Sequence, residues 1–264
     1  MTSHFSAPHQ TLLQLLLRSI KVTAPSLREK TINSLIWSAL NIIVFAFIMP
    51  TMGLDKNFGI FIAVTMPISC AFFSAIASIY ILLSDITNDG SNLQYELTLP
   101  LPQWLAFAKY AFEIMYQSLI SSILILPMGK MLLWTSFSLA YFSFVKFYFL
   151  LTIAALFFGF FAIFIASITK DMYGLDNIWT RIIFPMWFLG GFQFPWLKLY
   201  GVSPVLAYIS LLNPLTYALE GGRAAALDPA ASLPYWTCIG ALIFFTVLFG
   251  YLGIQNLKKR LDCL

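Results

Sequence analysis

Residues Ser84–Lys109 read SDITNDGSNLQYELTLPLPQWLAFAK, and their polarity organises everything on either side. The stretch carries Asp85, Asp89 and Glu96, and long apolar runs flank it: Phe58–Leu83 before and Trp104–Pro127 after. Each run is as long as the roughly 20 apolar residues that cross about 30 Å of hydrocarbon. Connections between packed helices are usually about 2–8 residues long, so a loop over 84–103 is longer than chain reversal requires. Its length and charge mark it as a handle by which a soluble partner moves a membrane-embedded body.

Composition supports a lipid environment. Of 264 residues, 60% are hydrophobic and 10% charged, with 26 Phe, 12 Tyr and 7 Trp. A soluble domain carries about 25% charged residues; here there is too little polar surface to coat a water-soluble globule. The net charge of +4 is small and dispersed, which argues against nucleic acid and suits a membrane-orientation signal. Cys70, Cys238 and Cys263 form no CxxC pair, and both histidines, His4 and His9, lie in the polar leader, so neither a disulfide framework nor a zinc site is expected. The N-terminus has no basic n-region or small-residue cleavage site, so a cleavable signal peptide is not expected.

Taken in order, residues 10–31 mix Leu12, Leu13, Leu16, Leu17 and Ile20 with Gln14, Arg18 and Lys21. That pattern predicts an amphipathic helix in the interface, or equally a surface helix packed on the bundle. Spans are expected over 32–52, 58–83, 104–127, 147–168, 178–196 and 235–254. The fifth is short and interrupted by Pro185, Gly190, Gly191 and Pro195. Residues 197–235, rich in Gly and Pro, predict short helices that dip in and return. The fold class is therefore an all-α integral membrane protein, with six transmembrane helices, an N-terminal interfacial helix and re-entrant outer helices before the last span, all in one domain over 1–264.

Basic residues set the expected orientation. A cytoplasmic N-terminus gives the inner side Arg18, Lys21, Arg28, Lys30, Lys109, Lys170, Arg181, Lys258, Lys259 and Arg260, against Lys56, Lys130, Lys198 and Arg223 outside. By the positive-inside rule both termini and the 84–103 loop face the cytoplasm.

Chemistry is sparse. No GxxxxGK[ST], HExxH or GxSxG motif occurs, so nucleotide phosphates have no such cradle and no catalytic residue or metal site is assigned. Glu113 is the one acid within the third span. An ionisable group at that depth is a functional candidate, either on a polar translocation path with Gln117 and Ser121 or paired to a neighbouring helix for structure. Asn213 and Pro214 read as the cap and first position of a helix. On it, Glu220 and Arg223 are three apart and share a face, which favours a lid helix held by their pairing over a ligand site.

Two stretches resemble the permease subunits of ABC type-2 exporters. The first runs from Asp89-Gly90 through Leu93, Glu96, Leu97, Leu99, Pro100 and Pro102 to Lys109; the second is Leu212-Asn213-Pro214-Leu215-Thr216-Tyr217 with Glu220 and Arg223. The order of elements is similar along nearly the whole chain, with Asn88 departing from the charged run usual before Asp-Gly. The resemblance implies a transport subunit rather than an enzyme, docked through Asp89, Gly90, Leu93, Glu96, Leu97, Pro100 and Pro102 on a separately encoded ATPase. That partner would bind ATP and Mg, and this chain no cofactor. It further implies a second permease copy, most simply a homodimer, in the inner (plasma) membrane of a bacterium. The implied cargo is an amphipathic drug, a lipid or a lipid-linked glycan leaving the cytoplasm. A membrane scaffold without transport, a proton-coupled secondary transporter using Glu113 and an intramembrane enzyme are the competing readings.

Overall fold

The computed structural model describes residues 8–55, 57–87, 95–96, 98–99, 102–134, 137 and 141–262. Helix α1 spans Pro8–Ile43 and continues through a π turn (Val44–Ile48) and a 3-10 turn (Met49–Met52) to Gly53, whose φ of 99° ends the run. The expected leader and first span are thus one helix, unbroken at Pro25. At 1.5 Å per residue its α-helical part reaches roughly 54 Å, well beyond the hydrocarbon thickness, so the leader is a stiff extension of the span.

Helix α2 (Phe58–Thr87) contains Pro67. Helix α3 (Gln103–Ile123) passes through Leu124 into α4 (Ile125–Leu133). Helix α5 (Phe144–Ile168) is nearly all apolar, with Phe147, Leu150, Leu151, Ala154, Phe157 and Phe158 fully buried. It is the central post, packed against α2, α3 and two later helices. Its contact with α3 is backbone to backbone: a Cβ on Gly159 would collide with the Ala111 carbonyl oxygen.

Asp171 caps α6 (Met172–Ile178) by accepting from Gly174 N–H at 2.7 Å. The run continues through a π turn (Trp179–Ile183) into α7 (Phe184–Leu189). Three helices too short to cross follow: α8 (Trp196–Val202), α9 (Pro204–Ser210) and α10 (Pro214–Ala226). Helix α11 (Tyr235–Asp262) ends the described chain.

Hydrogen bonds fix which helix ends lie together. The Arg260 guanidinium donates to the carbonyls of Ala166 (3.2 Å), Thr169 (2.6 Å) and Lys170 (2.9 Å), so α11 ends where α5 ends. At the other end, Ser143 N–H donates to Ala225 O at 2.9 Å and the Tyr235 hydroxyl to Lys146 O at 2.8 Å.

Among the described residues, five helical stretches are long and apolar enough to cross a membrane: Gln14–Met52, Phe58–Ile86, Gln103–Leu133, Phe144–Ile168 and Tyr235–Arg260. Residues 172–189 pass from the end near Arg260 to the end near α10, a run of roughly 27 Å at helical rise. This stretch stands where the fifth span is expected, but it begins earlier, with Asp176, Asn177 and Arg181 among its first ten residues, and stops at Gly190. The chain is an all-α, multi-pass integral membrane protein.

Candidate functional site

Two buried charge clusters occupy opposite ends of the bundle. The first joins the 84–103 loop to α3. In the described part of the loop, Thr98 N–H donates to Tyr95 O (3.1 Å) and Leu99 N–H to Glu96 O (3.2 Å), a tight turn that places the Glu96 side chain. Pro102 then takes the cap position of α3, and Leu105 N–H donates to its carbonyl at 2.8 Å. Farther along the helix, the Lys109 ammonium lies 2.5 Å from Glu96 Oε1 and 2.8 Å from Glu113 Oε1. It also sits 4.6 Å from the centre of the Tyr110 ring.

One cation therefore serves two carboxylates away from water, where each unpaired charge would cost several kcal/mol. Lys109 and Glu113 meet because residues four apart stack on one helix face; Glu96 is brought to them by the loop. Burial holds the Glu96 carboxyl above the usual carboxylate range; the bond and charge of Lys109 oppose that shift and the Glu113 charge adds to it.

The leader of α1 covers this junction. Lys30 Nζ donates to Gln117 Oε1 at 2.6 Å, and the Tyr116 hydroxyl meets Thr23 Oγ1 at 2.5 Å. The three α3 residues expected to face a translocation path thus take up separate contacts: Glu113 with Lys109, Gln117 with Lys30, and Ser121, whose hydroxyl reaches Ser74 Oγ of α2 at 3.3 Å. Of the residues expected to dock a partner, Glu96 and Pro102 are placed as described. Asp89, Gly90, Leu93, Leu97 and Pro100 lie outside the described residues.

The second cluster is built on α10. Asn213 caps it by accepting from Leu215 N–H at 3.0 Å, and its amide donates to Met186 O at 2.5 Å. Pro214 fills the first position, where no N–H is needed. One side of the helix buries Glu220 (0% exposed) and Arg223 (1%), whose Nη1 lies 2.5 Å from Glu220 Oε1. Glu220 also accepts from Trp196 N–H (2.8 Å) and Leu233 N–H (3.2 Å). Arg223 donates its other terminal nitrogen to Gly191 O and stacks 4.3 Å above the Phe61 ring. Gly191 has φ +83°, a conformation that favours glycine. The pair therefore clamps the end of α7, the start of α8, the segment before α11 and α2 onto one helix.

Sequence reasoning missed Lys109 as the shared cation, although its i,i+4 spacing to Glu113 was a usable signal. It also missed Lys30 facing Gln117, a contact between distant segments that no local pattern marks.

The family model for the ABC-2 type transporter matches residues 87–227 of the 264, more than half of the chain. The chain belongs to the ABC-2 type transporter family. It is a permease, a transport subunit rather than an enzyme, of a family that normally works with an ABC ATPase. No curated protein and no solved structure matches it. The matched segment opens at the loop, includes Glu96, Lys109 and Glu113, and closes just beyond the clamp of Glu220 and Arg223. The leader cations Arg18 and Lys30 and the whole of α11 lie outside it.

Proposed function

We propose that this permease is the membrane subunit of an ATP-driven exporter, moving an amphipathic drug, a lipid or a lipid-linked glycan out of the cytoplasm. A separately encoded ATPase docks on the 84–103 loop, and two permease copies form the pathway between them. The observation that carries this reading is the Glu96–Lys109–Glu113 cluster, where a loop carboxylate is ion-paired to the same buried lysine as a carboxylate of α3. A partner that pushes or pulls the loop therefore moves α3 with it. Such a partner shifts the permease only to the extent that it binds one arrangement better than the other.

The basic residues favour a cytoplasmic loop and cytoplasmic termini in an inner (plasma) membrane of bacterial type. ATP and Mg²⁺ belong on the partner, since this sequence has no Gly-rich loop of the GxxxxGK[ST] type. The ion pair of Glu113 with Lys109 weighs against a proton-shuttling role for that acid. Co-purification tests the reading: the ATPase is expected to accompany the wild-type chain and to be lost with Glu96→Arg or with deletion of residues 92–97. Retention after that deletion, or labelling near Leu97 from outside intact cells, contradicts it.

A further inference from the structure

Between the leader of α1, the end of α2 and the middle of α3 lies a cavity of about 300 Å³, at the small end of ligand pockets. Its charges are sorted by side. Arg18 and Lys30 line it from α1; Lys30 donates to the neutral Gln117 amide, and neither makes an ion pair among the described residues. Asp85, Glu96 and Glu113 line it from the other side, where Lys109 is the only lining cation among the described residues. Glu96 is 5% exposed, and its Oε2 has no hydrogen-bond partner among the described residues. A buried carboxylate oxygen without a donor is costly. Among the described residues, then, Lys109 serves Glu96 Oε1 and Glu113 while Glu96 Oε2 is left without a donor, and Arg18 and Lys30 are left without an anionic partner. Its rim is apolar: Val22 (69% exposed) and Ile81 (62%) border it.

We infer that this cavity holds the headgroup of an aminophospholipid, with the ammonium donating to Glu96 Oε2 and the phosphate between Arg18 and Lys30. The acyl chains leave over Val22 and Ile81 into the layer that α1 and α2 cross. A phosphocholine group lacks the N–H that Glu96 requires, and an anionic headgroup brings a phosphate to three carboxylates without the ammonium. A seated headgroup joins the leader to the loop-bearing acid. The proposal rests on the chain being a membrane permease and not on ATPase docking, so it is read on the permease alone.

Native mass spectrometry of the purified full chain in detergent, with equimolar phosphatidylethanolamine, phosphatidylcholine and phosphatidylglycerol, tests it. Phosphatidylethanolamine is expected to be retained roughly tenfold over the other two, the discrimination that one charge-assisted hydrogen bond supplies. Arg18→Gln, at an exposed position where folding is not at stake, should lower its retention several-fold; Glu96→Gln should bring it level with phosphatidylcholine. Equal retention of the three lipids by wild type, or unchanged retention by Arg18→Gln, overturns the assignment. Displacement of the lipid by an equal concentration of soluble O-phosphoethanolamine also overturns it, reassigning the site to a free zwitterion.

Discussion

Removing the Arg223 guanidinium while keeping much of its volume, as Arg223→Met does, isolates the contribution of the clamp on α10. The substitution strands Glu220 at 0% exposure with two backbone N–H donors and no countercharge, and it leaves the Gly191 carbonyl without its guanidinium donor. Breaking one side of a buried pair costs about 3–5 kcal/mol. The lost Gly191 bond acts on the same groups, so it is not added on top. Glu220→Gln on this background removes the stranded charge. It leaves one carbonyl oxygen for two donors, Trp196 N–H and Leu233 N–H, so recovery is expected to be about half and the coupling about 2 kcal/mol, within the range for contacting residues. Unfolding of the purified chain in mixed micelles by increasing dodecyl sulfate, followed by fluorescence of its 7 Trp, gives all four corners of the cycle. A loss under about 0.5 kcal/mol for Arg223→Met, typical of an ordinary surface site, would refute the clamp. So would a double variant that loses the sum of the two single ones.

Three further outcomes follow from the same geometry. Gly159→Ala should destabilise by about 1–3 kcal/mol or more, because the obstacle is the Ala111 backbone carbonyl and not a movable side chain; the same titration reads it. Arg260→Ala frees the carbonyls of Ala166, Thr169 and Lys170 and should speed amide hydrogen exchange at the α5–α6 turn while leaving α10 protected. For Glu96, burial places the folded-state value above the unfolded one. Its contribution is therefore favourable at low pH and is lost as pH rises through the raised value. Acidifying from neutral toward the ordinary glutamate value of about 4.3 should stabilise wild type relative to Glu96→Gln, and parallel pH profiles for the two would contradict this.

Much of this was legible because apolar composition alone marks a span. Helices α2, α5 and α11 begin within a few residues of where their apolar runs do, and the Asn213-Pro214 start of α10 and the spacing of Glu220 and Arg223 were readable from local rules. The rest depends on contacts that sequence patterns do not carry. The leader over 10–31 and the span from 32 read as separate elements, yet one helix runs through both, Pro25 included. The polar Asp176, Asn177 and Arg181 disguise the first ten residues of the 172–189 run, although Asp171 caps it as a helix start. Gly191 reads as a simple breaker, whereas its positive φ accompanies a carbonyl bonded to an arginine 32 residues away.

Both charge clusters bear on the same apolar post. Lys109 and Glu113 flank Ala111, whose carbonyl meets Gly159 with no side chain between them, so a displacement of the loop acid reaches α5 within one turn of α3. At its other end α5 is tied to α10 through its own cap: Ser143 accepts from Lys146 N–H with its side chain and donates its backbone N–H to the Ala225 carbonyl. Ala225 stands on the same helix as Arg223, so a shift of the clamp bears directly on the start of α5. Close-packed interiors compress little and transmit strain, so α5 moves as a unit or not at all. The Ala111–Gly159 contact is then the place where the two ends of the permease can be uncoupled without touching a charge in either cluster.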